Sequence, residues 1–474
     1  MIQTRVIWVT GLFLLVIILA FKKKSTQELA NKNDRPNIII ILTDDQGYGD
    51  VGFNGCTDIP TPNIDRMAKN GVVFTSGYVS YSVCAPSRAG LLTGRYQDRF
   101  GYSRNPLYRP FDANIGLPLT EQTLPELLQQ SGYNTMAIGK WHLGVHENFR
   151  PWKRGFNEFF GFLGGGHRYF PGEYDIQHQD SAINEAQSYR TKLVKANTVV
   201  EEKEYLTDAL SREAVSFIER NKEQPFFLYM AYNAPHAPLQ ASPKYLNRFE
   251  NIKDLKRKTY AAMVSAVDDG VGSILGKLDQ LQLTENTIVI FLSDNGGPES
   301  DNGSDNGLLK GGKSTLWEGG IRVPFAIQWP RQIKPDTRYD QPVISLDVFA
   351  TIAANVREAA SPKNQLDGVN LLPYLQGTKQ GSPHEYLFWR QYDQKNYAVI
   401  HQSGFKEVII KDSAFYLYNL KTDMGEKLNV DDRKMISGLE QQRKKWEAKT
   451  IAPLFYGLNQ EEKYNEENKL KQKQ

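Results

Sequence analysis

Four stretches of the chain share one layout: an unbroken apolar run, then a short polar cluster, then residues that read as turn and helix. Pro36 to Leu42 runs into Thr43-Asp44-Asp45-Gln46-Gly47, and Tyr133 to Ile138 into Gly139-Lys140-Trp141-His142. Pro225 to Tyr232 delivers Asn233-Ala234-Pro235-His236, and Asn286 to Leu292 delivers Ser293-Asp294-Asn295-Gly296-Gly297. Apolar runs without polar alternation suit strands covered on both faces, as in a sheet between helices. Between these runs, Thr123 caps a short amphipathic pattern of Leu124, Leu127 and Leu128 that Gly132 closes. From Lys258 to Leu281 apolar residues recur at threes and fours, the longest helical pattern in the chain. The expected fold class is α/β: a large, mostly parallel mixed sheet sandwiched by helices, with its ligands at the carboxyl ends of the strands.

After about residue 375 the texture changes. Tyr386 to Trp389, Tyr397 to Ile400, Val408 to Ile410 and Phe415 to Leu420 read as short strands, followed by a helix over Met435 to Lys449. The pattern predicts a catalytic domain over 36–375, a smaller antiparallel C-terminal subdomain over 376–458, and a frayed polar tail over 459–474. At the other end, Arg5, an apolar run from Val6 to Phe21 and Lys22-Lys23-Lys24 read as a signal peptide or an N-terminal membrane anchor over 1–24, with a polar linker over 25–35. Export, to the periplasm first of all, is the expectation.

Composition changes this picture little. Of the 474 residues, 40% are hydrophobic and 23% charged, and the 57 Lys and Arg nearly balance the 54 Asp and Glu, which argues against a nucleic-acid partner. Only Cys56 and Cys84 are present, so no disulfide framework holds the chain; a Cys56–Cys84 bridge remains open at this level.

Cys84 sits in Ser82-Val83-Cys84-Ala85-Pro86-Ser87-Arg88, with Leu92-Thr93-Gly94-Arg95 behind it. Proline there suits the first turn of a helix, whose free N–H groups and positive dipole end favour an anion. This stretch resembles the signature of the formylglycine-dependent sulfatases, in the alkaline-phosphatase-like superfamily. Further landmarks follow in order: Lys310-Gly311-Gly312-Lys313 before Trp317-Glu318-Gly319-Gly320 and Arg322-Val323-Pro324, then Leu366-Asp367-Gly368, and a weaker Leu417 to Lys427.

The resemblance implies that Cys84 is oxidised to formylglycine (3-oxoalanine), whose hydrate attacks a sulfate ester. A formylglycine-generating enzyme or an anaerobic sulfatase-maturating enzyme would be the partner for that step. Asp44, Asp45, Asp294 and Asn295 offer only oxygen, which fits calcium, or less well magnesium, better than zinc; the family places them, with the modified Cys84, on calcium. By the same resemblance Arg88 holds the hydrate, Lys140 and Lys313 grip the sulfate, His236 protonates the leaving oxygen, and His142 takes a proton from the hydrate. Gln46 lies beside the cluster without an assigned role.

The substrate is less legible. The Gly-rich stretch before His167 and Arg168 reads as a rim of the substrate cleft, and Trp389 and Arg390 as a second wall, where aromatics and arginine would suit a sulfated poly- or oligosaccharide. Alternatives are an aryl sulfatase, a phosphate or phosphonate monoester hydrolase of the same superfamily, and a glycan-binding protein in which Cys84 stays unmodified.

Overall fold

The computed structural model describes residues 35–356 and 360–471. The N-terminal apolar run and the linker through residue 34 lie outside them. Ten strands form one sheet: β1 (Asn37–Thr43), β2 (Val72–Phe74), β4 (Asn134–Lys140), β5 (Glu158–Phe162), β6 (Val194–Lys195), β7 (Thr198–Val199), β8 (Phe226–Ala231), β9 (Thr287–Ser293), β10 (Phe325–Gln328) and β11 (Thr337–Tyr339). Their order is β11-β2-β10-β9-β1-β8-β4-β5-β6-β7. The central five, β9-β1-β8-β4-β5, are parallel, while β10 runs antiparallel to β9 and to β2. The short strands β3 (Gly77–Tyr78) and β12 (Val343–Ile344) pair separately.

Every residue of β1, β8 and β9 is buried, as unalternated runs require. Alternate residues of β1 enter opposite layers. Ile38, Ile40 and Leu42 pack with Leu92, Phe227 and Tyr229, and Ile39 and Ile41 pack with Leu228, Met230, Val264 and Val267. Full burial is worth about 1.5–3 kcal/mol for each such side chain. The helices covering the sheet include α1 (Pro62–Lys69), α2 (Cys84–Thr93), α3 (Leu124–Gln130), α4 (Leu206–Arg220), α5 (Leu255–Gln280) and α6 (Leu346–Asn355). Thr123 forms a full capping box with Glu126 at α3, and Asp254 caps α5 by accepting from the Arg257 N–H.

β13 (Tyr386–Gln391), β14 (Asn396–His401), β15 (Phe405–Ile410) and β16 (Ala414–Asn419) form the separate antiparallel sheet, followed by α7 (Arg433–Glu447). A buried ionic cluster joins this sheet to the large domain. Lys406 of β15 contacts Glu318 and Glu426, each at 2.9 Å, and Glu426 accepts the Glu318 backbone N–H at 2.7 Å. The segment expected as a frayed tail is instead a helix, α8 (Glu461–Lys471). Arg109 donates to Glu461 at 2.7 Å and the Tyr464 hydroxyl to Asp112 at 2.8 Å. Its polar sequence finds charged partners some 350 positions away, which composition does not report.

Candidate active site

The register of the parallel strands brings the polar clusters level. Thr43 lies beside Ser293, Leu42 beside Ala231, and Ala231 beside Gly139. The chains leaving β1, β4, β8 and β9 therefore meet at one edge, where the Asp44 N–H reaches Ala234 O and the Asp294 N–H reaches Thr43 O. Cys84, the first residue of α2, faces this edge, with Sγ 3.6 Å from Asp44 Oδ1. Val83 supplies no side-chain cap to α2; Asn105 does so from another loop, accepting the Ala85 N–H at 3.0 Å.

Around the thiol, opposite charges are closely paired. Lys140 Nζ is 2.6 Å from Asp44 Oδ2, and Lys313 Nζ is 2.8 Å from Asp45 Oδ2. Arg88, fully buried, donates to Asp294 and to the Lys140 carbonyl. His236 Nε2 lies 3.6 Å from Asp45, and its Nδ1 is 2.6 Å from Ala237 O. Both ring nitrogens of His142 are buried with no hydrogen-bond partner among the described residues. Asp45 and His142 hold positive φ, 62° and 59°, conformations that cost on the order of 1–3 kcal/mol and cluster at working sites.

The electrostatics follow from this packing. Burial pushes the Cys84 thiol up to about 12 despite Lys140 and Lys313, so an unmodified thiol stays protonated and is a poor nucleophile. Burial works against the Asp45 charge, yet Lys313 and His236 hold its carboxyl at about 2. Asp294 is raised by burial and by the like charge of Asp44. His142 is held well below the ordinary histidine range by burial, then by Lys140 and Arg88. Burial also takes His236 to about 3, against the pull of Asp45.

The residues present fit a hard divalent cation. Asp44, Asp45, Asp294 and Cys84 offer ligand atoms within 4.8 Å of one another. The Asn295 amide nitrogen donates to Asp45 at 2.7 Å, which leaves its buried Oδ1 without a partner beside these carboxylates. Oxygen donors in this number suit calcium or magnesium.

The structure thus brings together Asp44, Asp45, Cys84, Arg88, Lys140, His142, His236, Asp294, Asn295 and Lys313. Three of the expected substrate residues, Trp389, Arg390 and His167, are interior instead. Trp389 is fully buried, its indole N–H donating to Val79 O at 2.7 Å. Arg390 is buried on Asp98, Thr450 and the Ile451 carbonyl. Both hold the two domains together and face no cleft. His167 is also interior, its two ring nitrogens against the Arg168 and Thr191 carbonyls. Arg168 is half-exposed, pairs with Glu173 at 3.2 Å and donates its backbone N–H to the Tyr189 carbonyl at 3.0 Å. The glycines before them come nearer the site. A Cβ on Gly165 would lie 2.8 Å from His142 Nε2 and 2.5 Å from Glu185 Oε1, so only glycine fits.

Glu185 and Tyr189 are thereby placed at the site without any local sequence signal. Glu185 accepts the Gly165 N–H at 2.8 Å, and the Tyr189 ring stands 6.4 Å from that of His236. Cys56 is a free thiol near Asp58, and Cys84 is free as well, so no bridge joins them.

Comparison with known proteins gives this geometry its context. The Sulfatase family model matches residues 36–356, and the model described as N-sulphoglucosamine sulphohydrolase, C-terminal, matches residues 311–451. An uncharacterized sulfatase of Escherichia coli (strain K12), YdeN, is 35% identical over 78% of this chain and 71% of its own length. Human N-acetylgalactosamine-6-sulfatase is 37% identical over 73% of this chain and 67% of its own. Among solved structures, Ps i-CgsB superposes with a TM-score of 0.85 at 39% identity, covering 91% of this chain and 97% of that one. Its complex with k-i-k-neocarrahexaose gives 0.84 at 40% identity, over 90% and 96% of the two chains.

Proposed function

The chain belongs to the sulfatase family and is a sulfuric ester hydrolase, and we propose that it removes sulfate from a sulfated poly- or oligosaccharide through a formylglycine made from Cys84, with calcium on the four oxygen-bearing residues beside it. The observation that carries the reading is the buried Cys84 thiol set among the ion pairs Lys140–Asp44, Lys313–Asp45 and Arg88–Asp294. The carbohydrate class rests on Ps i-CgsB, solved with a neocarrahexaose, and on the N-acetylgalactosamine-6-sulfatase relatives.

Calcium, held by Asp44, Asp45, Asp294 and Asn295, and the hydrated aldehyde at position 84 supply charge neutralisation and a hydroxyl nucleophile. The chain's own residues do the rest. Lys140 and Lys313 offer ammonium groups to the sulfate oxygens, where negative charge must be held as the ester bond breaks. Arg88 fixes the base of α2 through Asp294, keeping position 84 aimed at the ester. His236, in reach of Asp45 and beside Tyr189, gives the leaving oxygen its proton; the anionic ester entering the site favours the charged imidazole that burial alone disfavours. His142, neutral in its buried position, is suited to accept a proton. Export to the periplasm, supported by the apolar run over Val6–Phe21, places such an enzyme where sulfated polymers arrive.

The test is mass spectrometry of the peptide carrying Cys84 from the native host, together with sulfate release from k-i-k-neocarrahexaose, N-acetylgalactosamine 6-sulfate and D-glucosamine-2-N,6-O-disulfate. Aldehyde at position 84 and release from at least one sugar are expected. A plain thiol in an active preparation removes the formylglycine mechanism. Matched phosphate esters turned over faster than sulfate esters would move the enzyme to the phosphate-hydrolysing branch.

A further inference from the structure

A polar cavity of about 190 Å³ opens next to Lys313 and Val83, the immediate neighbours of the reacting centre. Three further parts of the chain, remote in sequence, complete its lining. Arg104 comes from the loop after α2, Asp393 from the hairpin tip between β13 and β14, and Gln460 from the turn that begins α8. Arg104 clasps Asp393 with Nε at 2.8 Å and Nη2 at 2.5 Å, and Nη1 donates to the Phe455 carbonyl at 2.8 Å. The Gln460 amide donates to Asp393 Oδ2 at 3.1 Å.

Charge in this cavity cancels. Arg104 is neutralised by Asp393 and Lys313 by Asp45, so among the described residues no uncommitted cation lines the cavity for a second sulfate, and the Asp393 carboxylate repels one. Hydrogen-bonding capacity does not cancel. Of five guanidinium N–H groups Arg104 spends three, and Asp393 Oδ1, which takes only one of them, keeps a lone pair. Donor and acceptor therefore stand side by side with the Gln394 and Asn105 amides close by, the arrangement that two neighbouring hydroxyls of a sugar satisfy. The volume admits a single sugar ring and falls below the roughly 300–1,000 Å³ of a drug-sized ligand site.

We propose that this cavity binds a sugar ring of the substrate beside the reacting sulfate, and that Arg104 and Asp393 read its free hydroxyls. The assignment rests on the carbohydrate reading above. It makes the C-terminal subdomain and the start of α8 parts of the substrate site, in place of Trp389 and Arg390.

Arg104→Ala and Asp393→Asn test it in the full-length, matured enzyme. Two probes are used: whichever of the three sulfated sugars named above the wild type hydrolyses, and 4-nitrophenyl sulfate, whose ring carries no hydroxyl for Arg104 and Asp393 to read. Each variant should raise KM for the sugar at least about tenfold with kcat little changed, while kcat/KM for 4-nitrophenyl sulfate stays within about twofold of wild type. An unchanged KM for the sugar in both variants overturns the proposal. So does an equal loss on both probes, which would make the pair a structural brace. Wild-type turnover of 4-nitrophenyl sulfate with none of the sugars would instead overturn the carbohydrate reading, and the cavity assignment with it.

Discussion

Arg88 meets Asp294 through two contacts to one oxygen, Nε at 2.9 Å and Nη2 at 2.8 Å from Oδ2, with neither side chain exposed. The planar fork spans this carboxylate and the Lys140 carbonyl at once, tying α2 to the ends of β9 and β4. A lysine keeps the charge but is a single point of donation. Arg88→Lys should therefore lower kcat/KM by about a hundredfold or more through misplacement of position 84, and lower the Tm, because a buried carboxylate loses part of its pairing. Activity within tenfold of wild type would show that position 84 is held by other means.

Asn295 uses its amide nitrogen on Asp45 and keeps Oδ1 free. Asn295→Ala should raise the calcium concentration needed for half-maximal activity at least about tenfold, and a chelator should silence the wild type until calcium is restored. Full activity of the wild type in chelator would take the metal out of the mechanism.

His236 is the one imidazole of the site placed beside Tyr189 and outside complete burial. As the donor to the leaving oxygen, its loss should matter in proportion to how badly that oxygen needs a proton. His236→Ala should cost about 10²–10⁴ in kcat on a sugar sulfate and far less on 4-nitrophenyl sulfate. Equal losses on the two substrates would assign His236 to sulfate binding.

Glu407 shares its sheet face with Val399 and Leu417, which pack against Leu439 of α7, and neither carboxyl oxygen has a hydrogen-bond partner among the described residues. Burial, reinforced by Glu440, raises its carboxyl to about 8. The folded protein thus binds a proton that the unfolded chain releases near 4.5, so this group's contribution to stability falls as pH rises from about 4.5 to 8. Glu407→Gln, uncharged throughout, should leave the Tm at pH 5 nearly unchanged and raise it by a few degrees at pH 8. Equal shifts at both pH values would mean that Glu407 is ionised in the fold.

Much of this protein was legible in its sequence, for a physical reason. Unalternated runs such as Pro36 to Leu42 belong to strands buried on both sides, and parallel strands in register bring their exits to one edge. Asp44, Lys140, His236 and Asp294 meet there because each follows such a run directly. What tertiary structure alone decided is the partner of each side chain beyond that edge. An aromatic next to an arginine has the same pattern in a cleft wall as in a domain interface, and the Val79 and Ile451 carbonyls turned Trp389 and Arg390 inward. The polar composition after residue 459 gives no sign that Arg109 and Asp112 stand ready to pair with Glu461 and Tyr464. Arg104, Asp393 and Gln460 meet for the same reason: hydrophobic periodicity records that a position is covered, and packing across hundreds of residues determines by what.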